Sequence, residues 1–290
     1  TVQVRSQFWQ DALLTQIFSA IGALSGTFVE FGARRPNVLN SAHFRVRCGW
    51  CGLLLDGHPD GSEYGRAAGT PNYRAIHELS AANESACVRL RRAFLTVDTV
   101  NQVFSDHRVP STFDLLTIDI DGNDFWIMRA LDIERFRARV VAIEFSSFFY
   151  AGERCTTRYR PDYVWNWRGS VTTGASLYLL DEMMRCRGYQ FVGQVAGEHA
   201  IWVLRSELHP ADLARPEPLP TAVLEGWQHL KRIHQHQKRL SAIKKNWKRS
   251  PRFANVSWAD PTAGGHTSAA VPVPLFMTCN VSREARCVGD

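Results

Sequence analysis

No stretch of the 290 residues is long and apolar enough to cross a membrane. A membrane helix needs about 18 uninterrupted apolar residues, and the best candidate, Ile17 to Ala33, is broken by Gly22, Gly26 and Glu30. The chain opens on Thr1 with no charged-then-apolar leader, which reads as a targeting sequence or anchor removed or left out. Cysteine is scarce. The seven present (Cys48, Cys51, Cys87, Cys155, Cys186, Cys279, Cys287) are odd in number, too few for a disulfide scaffold and not grouped as two metal-binding pairs. Cys48-Gly49-Trp50-Cys51 imitates a redox dithiol, but it runs into an apolar strand rather than a helix N-terminus, so these read as ordinary strand cysteines. Basic charge is missing from most of the chain despite the net +6. Between Glu225 and Phe253 stand nine Lys or Arg and one Glu, which leaves the remainder near −2. A basic nucleic-acid groove in the main domain is thereby disfavoured. Internal repeats are also lacking.

What is present is an alternation. Arg5 to Ile21 places Trp9, Leu13, Ile17 and Ile21 on one helical face, expected to pack on a core. Strands are then expected at Phe28 to Phe31, Gly52 to Asp56, Val88 to Leu95, Asp114 to Asp119 and Arg139 to Phe145. Helical stretches lie between them: a polar one ending near Arg47, then Tyr73 to Leu79, Thr99 to Phe104 and Phe125 to Leu131. The runs Leu115 to Ile118 and Val140 to Ile143 are apolar without alternation, as in parallel strands buried on both faces. A loop rich in aromatics and arginines, Phe148 to Val171, precedes a helix at Ala175 to Arg187. Tyr189 to Gln194 and Ala200 to Leu204 then read as an antiparallel hairpin at the sheet edge. The fold expected is α/β, a mostly parallel sheet with helices on both faces. Residues 1–26 form a packed N-terminal helix and 27–208 the nucleotide-binding domain. In 209–290 a Pro-rich linker leads to a basic amphipathic helix and a weakly structured end.

Open parallel sheets bind ligands beyond the carboxyl ends of their strands, near the point where strand order reverses. Here the first, second, fourth and fifth expected strands each end in a carboxylate: Glu30, Asp56, Asp119 and Glu144. Asp56 suits a ribose diol, or else caps a turn with Gly57.

The segments FVEFGA (Phe28 to Ala33), GWCGLLLDG (Gly49 to Gly57), FDLLTIDIDGNDFWI (Phe113 to Ile127) and VVAIEF (Val140 to Phe145) resemble the FkbM family of S-adenosylmethionine-dependent methyltransferases. SQFWQD (Ser6 to Asp11) resembles that family's lead-in and ASLYLLDEMMRCRGYQFVG (Ala175 to Gly193) its last helix and following strand. The resemblance implies a Rossmann-like class I methyltransferase fold with a seven-stranded sheet. It also implies S-adenosylmethionine as cofactor and O-methylation of a sugar, glycan or related polar metabolite. By position it sets Glu30 and Gly32 beside the methionine part, Asp56 and Gly57 at the ribose, Asp98 near the adenine, and Asp119 and Asp121 facing the sulfonium and acceptor. Methyl transfer requires alignment and removal of one proton, for which Asp119 or Asp121 is the candidate base. Asp119, Asp121 and Glu144 would alternatively hold Mg²⁺ or Mn²⁺.

Arg34-Arg35-Pro36 stands where the family has a flexible acidic-glycine turn, Ser146 follows Phe145 where Tyr-Asn is usual, and His199 replaces an Asn. These departures favour the alternative, a catalytically silent domain serving as a structural or interaction subunit. His199 reads as a base, a ligand or a satisfied structural histidine. Tyr163, Trp165 and Trp167 read as a sugar-stacking lid or as loop anchors. The basic helix at 221–248 suits a protein partner or its own domain, with membrane contact as the competing reading. Sequons at Asn83, Asn255 and Asn280 lean towards a secretory lumen.

Overall fold

In the computed structural model the described residues are 6, 10–33, 39–57, 87–147, 149, 153–163, 174–195, 198–209 and 277–279. The order of elements is α1 (Gln10–Ile21), β1 (Thr27–Phe31), α2 (Ala42–Arg47), β2 (Cys51–Asp56), β3 (Val88–Arg92), α3 (Val100–Asp106), β4 (Thr112–Ile118), α4 (Asp124–Ala130), β5 (Arg137–Glu144), β6 (Cys155–Thr157), α5 (Leu177–Cys186), β7 (Tyr189–Val195), β8 (His199–Leu204) and β9 (Met277–Cys279). The expected helix around Tyr73 to Leu79 lies outside the described residues, as do Arg34 to Pro36, Trp165, Trp167, the three sequons' Asn83, Asn255 and Asn280, and the basic helix 221–248.

Seven strands form one sheet in the order β3-β2-β1-β4-β5-β8-β7. The pairs β1 with β2, β1 with β4, β2 with β3 and β4 with β5 are parallel, whereas β8 is antiparallel to both β5 and β7. This is the expected α/β architecture, a mostly parallel seven-stranded sheet with the expected antiparallel hairpin at its end. The chain runs outward through β1, β2 and β3, then returns to β4 on the other side of β1. The switch point therefore falls between β1 and β4.

The apolar runs follow from this topology. Successive residues of a strand point to opposite faces, and here both faces are covered. Val29, Phe31, Leu116, Ile118, Val141 and Ile143 join one buried cluster with Phe104, Phe125 and Leu180 of α3, α4 and α5. Phe28, Leu54, Leu115, Val140 and Ala142 join the other with Leu14 and Phe18 of α1 and Phe44 of α2. The N-terminal helix is thus part of the core.

Two polar devices tie the elements at the amino end of the sheet. Asp114, completely buried on β4, accepts hydrogen bonds from the backbone N–H groups of Leu24, Ser25, Gly26 and Thr27 and pairs with Arg139 at 2.7 Å. Arg139 also donates to the carbonyls of Ile21 and Gly22 and pairs with Glu207 at 2.6 Å. Burial would raise the Asp114 carboxyl, but these amides and the guanidinium outweigh it and hold the group below its ordinary range.

The cysteines depart from the sequence reading. Cys51 forms a disulfide with Cys87, joining β2 to the start of β3, while Cys48 is exposed and free. Cys155 and Cys186 are disulfide-bonded as well. The CxxC imitation is therefore divided between a cross-strand bond and a surface thiol. Among the described residues no helix is long and apolar enough to cross a membrane. Met277–Cys279, within the end expected to be weakly structured, forms β9 and pairs antiparallel with β6.

Candidate active site

The carboxyl ends of β1, β4 and β5 meet in a cluster of acids. Asp119, Asp121 and Glu144 each offer a carboxylate oxygen within 4.8 Å of the others. The β4–α4 loop that carries two of them is sharply wound: Asp121 has φ 61° and Gly122 φ 155°. Asp124, buried at the first turn of α4, accepts from the Ile120 and Gly122 N–H groups at 2.8 Å each, so one carboxylate holds the loop from inside. Burial first, and the nearby charge of Asp119, push the Asp124 carboxyl up to about 7 against the pull of those amides.

Glu144 ends β5, opposite His199 in the β5–β8 register. Its Oε2 is buried and has no hydrogen-bond partner among the described residues. Burial, then the charges of Asp119, Asp124, Asp121 and Glu198, raise it well above the usual carboxylate range. His199 is itself buried, with Nε2 3.4 Å from Asp119 Oδ2 and Nδ1 3.0 Å from Gln10 Nε2. Burial lowers its pKa, but Asp119, Glu198 and Glu30 more than offset this and the net shift is upward. Asp119 is the open member, its side chain 39% exposed against 5% for His199.

Glu30, at the end of β1, is committed within the protein. Its two oxygens accept from the Asn40 and Ser41 N–H groups and from the Ser41 hydroxyl, at the start of α2. Burial outweighs these bonds and raises its pKa. Gly32 has φ 74°, and a Cβ there would lie 1.7 Å from the Asp119 carbonyl oxygen, so only glycine lets the end of β1 pass the end of β4 this closely. Asp56 closes β2 beside Gly57, where a Cβ would meet the Phe94 backbone at 2.7 Å. Asp98 is exposed just before α3. The structure thus brings Asp119, Asp121, Glu144, His199 and Gly32 together, with Glu30 close enough to feel Asp119. Asp56 and Asp98 stand apart, the first at the end of β2, two places from β4, and the second in the loop after β3, three places from it.

A wall rises beside the acids. Tyr163 lies over Gly122, where an added Cβ would be 2.5 Å from its ring. Asn123 donates to the Arg160 carbonyl, Trp126 Nε1 to the Thr157 carbonyl, and the Val97 N–H to the Tyr159 hydroxyl. Sequence reasoning missed Gln10 and Asp124. Asp124 had a signal, an acid two residues after Gly122 at a helix start; Gln10, which meets His199 across 189 residues, had none.

Residues 89–191 match the family model described as the methyltransferase FkbM domain. No curated protein matches the chain. Among solved structures, the chain is similar to a methyltransferase domain of METTL16 (10% identity, 67% of this chain and 82% of that one, TM-score 0.38). It is also similar to an O-methyltransferase from Bacillus cereus in complex with SAH (15%, 50% and 60%, TM-score 0.29) and to a SAM-dependent methyltransferase from Aquifex aeolicus (9%, 66% and 88%, TM-score 0.33). The family match thus spans Asp119, Asp121 and Glu144 but not Glu30, Gly32 or His199.

Proposed function

We propose that this methyltransferase acts on a hydroxyl oxygen of a sugar, glycan or related polar metabolite. The observation that carries the reading is the convergence of Asp119, Asp121 and Glu144 at the ends of β4 and β5. In an in-line transfer the acceptor oxygen bonds to the methyl carbon as the sulfonium bond breaks, and the hydroxyl proton must leave. Asp119 suits that task, being open to solvent and facing His199, whereas burial and the neighbouring acids raise the Glu144 carboxyl well above the usual carboxylate range. The cofactor would lie across the carboxyl ends of β1 and β2, past Glu30 and Gly32 to Asp56 and Gly57, with its adenine towards Asp98.

The same carboxylates fit a hard divalent cation, Mg²⁺ or Mn²⁺, because the donors are all oxygen and Glu144 Oε2 is buried without a partner among the described residues. When bound, such an ion orients a hydroxyl and lowers its pKa. Calorimetric titration with S-adenosylmethionine tests the reading. Binding that persists in Asp119→Ala, with methyl transfer to a sugar acceptor lost, supports it. A folded protein that binds no cofactor at millimolar concentration overturns it in favour of a silent interaction domain.

A secretory lumen is the compartment we propose. The Cys51–Cys87 bond and the bonded state of Cys155 and Cys186 need oxidising surroundings, and the sequons agree. A mass unshifted by glycosidase treatment of the native protein counts against it. For the basic helix 221–248 we propose a protein partner, tested by whether neutralising Lys244 and Lys245 abolishes capture of that partner.

A further inference from the structure

The sequence leaves His199 open between a base, a ligand and a structural histidine, and its two ring nitrogens separate these readings. In a neutral imidazole one nitrogen carries the proton and the other accepts, so the partner of one fixes the role of the other. Nδ1 stands 3.0 Å from Gln10 Nε2, across 189 residues of chain. An amide nitrogen donates and does not accept. Nδ1 is therefore the acceptor, and the ring proton sits on Nε2.

That N–H points at the acids. His199 is 4% exposed and lies opposite Glu144 in the β5–β8 register. Its Nε2 is buried, makes no hydrogen bond among the described residues and stands 3.4 Å from Asp119 Oδ2. A buried donor left without an acceptor is costly, and ordinary N–H···O bonds close at about 2.7–3.2 Å. Asp119, at the partly exposed end of β4, is free to move the small remaining distance. The ring, on a strand paired on both sides, is not. With its proton on Nε2, the ring has no lone pair there to take a proton from an acceptor or to hold a cation. What it offers is a donor, and a donor bound to Oδ2 fixes the rotation of the Asp119 carboxylate and leaves the other oxygen to the acceptor.

We propose that Gln10 and His199 are positioning residues for Asp119: Gln10 fixes the tautomer of His199 with the proton on Nε2, and that N–H orients the Asp119 carboxylate. That Asp119 is the base of a methyl transfer rests on the reading above; the tautomer does not.

NMR of chelator-treated full chain labelled with ¹⁵N-histidine, at alkaline pH, reads the tautomer, the His199 signals being those lost in His199→Gln. A ring protonated at Nε2 is the expected result; a proton on Nδ1, in a neutral or a charged ring, overturns it. Gln10→Met removes the amide while keeping the bulk and is expected to give a mixture of tautomers; a ring still protonated at Nε2 alone overturns the role of Gln10. In Asp119→Ala the Nε2 proton resonance is expected to move upfield, and an unmoved resonance overturns the contact with Asp119. His199→Gln retains an N–H near the position of Nε2 but has no basic nitrogen. With methyl transfer to a sugar acceptor as the readout, it is expected to lose about tenfold in kcat where His199→Leu loses about a hundredfold, KM for S-adenosylmethionine being unchanged in both. Equal losses overturn the positioning in favour of a histidine base. A protein that transfers no methyl group yet shows the Nε2-protonated ring overturns the methyl-transfer reading and leaves the tautomer standing.

Discussion

Gly32 shows how one missing side chain shapes this site. With φ 74° and the Asp119 carbonyl 1.7 Å from where a Cβ would stand, Gly32→Ala combines a left-handed backbone with a direct clash. A loss of at least about 2–3 kcal/mol is expected in urea unfolding, and an unchanged midpoint contradicts the close crossing of β1 and β4. Asp124 acts by the opposite means, filling a buried position with an acceptor. Asp124→Ala leaves the Ile120 and Gly122 N–H groups without their partner. Each buried unsatisfied group costs about 1–3 kcal/mol, so the variant is expected to be strongly destabilised and to show fast exchange at residues 119–123. Slow exchange there would mean that the loop is held by something else.

At the scale of elements, helix ends are bound by side chains from distant segments. Arg187, just after α5, donates to the Met128, Arg129 and Leu131 carbonyls at the end of α4. Those are the carbonyls a helix leaves unpaired, at the negative end of its dipole. Arg187→Leu keeps the bulk and removes all three donors, with an expected cost of about 2–3 kcal/mol. Because α4 begins at Asp124, loosening its far end is also expected to weaken Mn²⁺ binding at the acids. Wild-type stability in thermal melts would refute the cap. Elements were also the most legible scale in the sequence. The apolar strands were placed within two or three residues at either end because burial on both faces leaves an uninterrupted hydrophobic run. The first helix begins later than its periodicity implied, since Ser6 and Asp11 bond each other at its entrance.

Across the whole molecule, the acids make stability depend on pH in a definite direction. Asp124, Glu144 and Glu30 all have folded pKa values above their unfolded ones, so the folded state holds extra protons. Stability from these groups is therefore lost as pH rises from about 4 towards and beyond 7. His199, also raised, contributes below its ordinary pKa of 6.5 and loses that contribution as pH rises through its folded value. Asp114 works the other way, contributing above about 4 and failing only in acid. With chelator present, the melting temperature is expected to peak near pH 5 and fall towards pH 8. Added Mn²⁺ should raise it more at pH 7.5 than at pH 5.5, because a cation neutralises the same carboxylates. A flat profile, or an equal metal shift at both values, would show that the acids do not share one site.

The sequence by itself determined the order of the described strands and helices, the acids at the strand ends and the resemblance that residues 89–191 carry, because hydrophobic periodicity and short motifs are local. It placed Glu30, Asp119 and Glu144 at strand ends, and the structure keeps them there. Only the tertiary structure decided what each acid faces. Glu30 is taken up by Asn40 and Ser41, Glu144 keeps one buried carboxylate oxygen without a partner among the described residues, and Asp119 meets a histidine oriented by Gln10 from the other end of the domain. The cysteines divide in the same way: seven can be counted, but which are opposed depends on β2 lying beside β3 and β6 beside β9. Local pattern records whether a residue is buried, whereas charge state and covalent partner depend on neighbours that chain topology brings from far along the sequence.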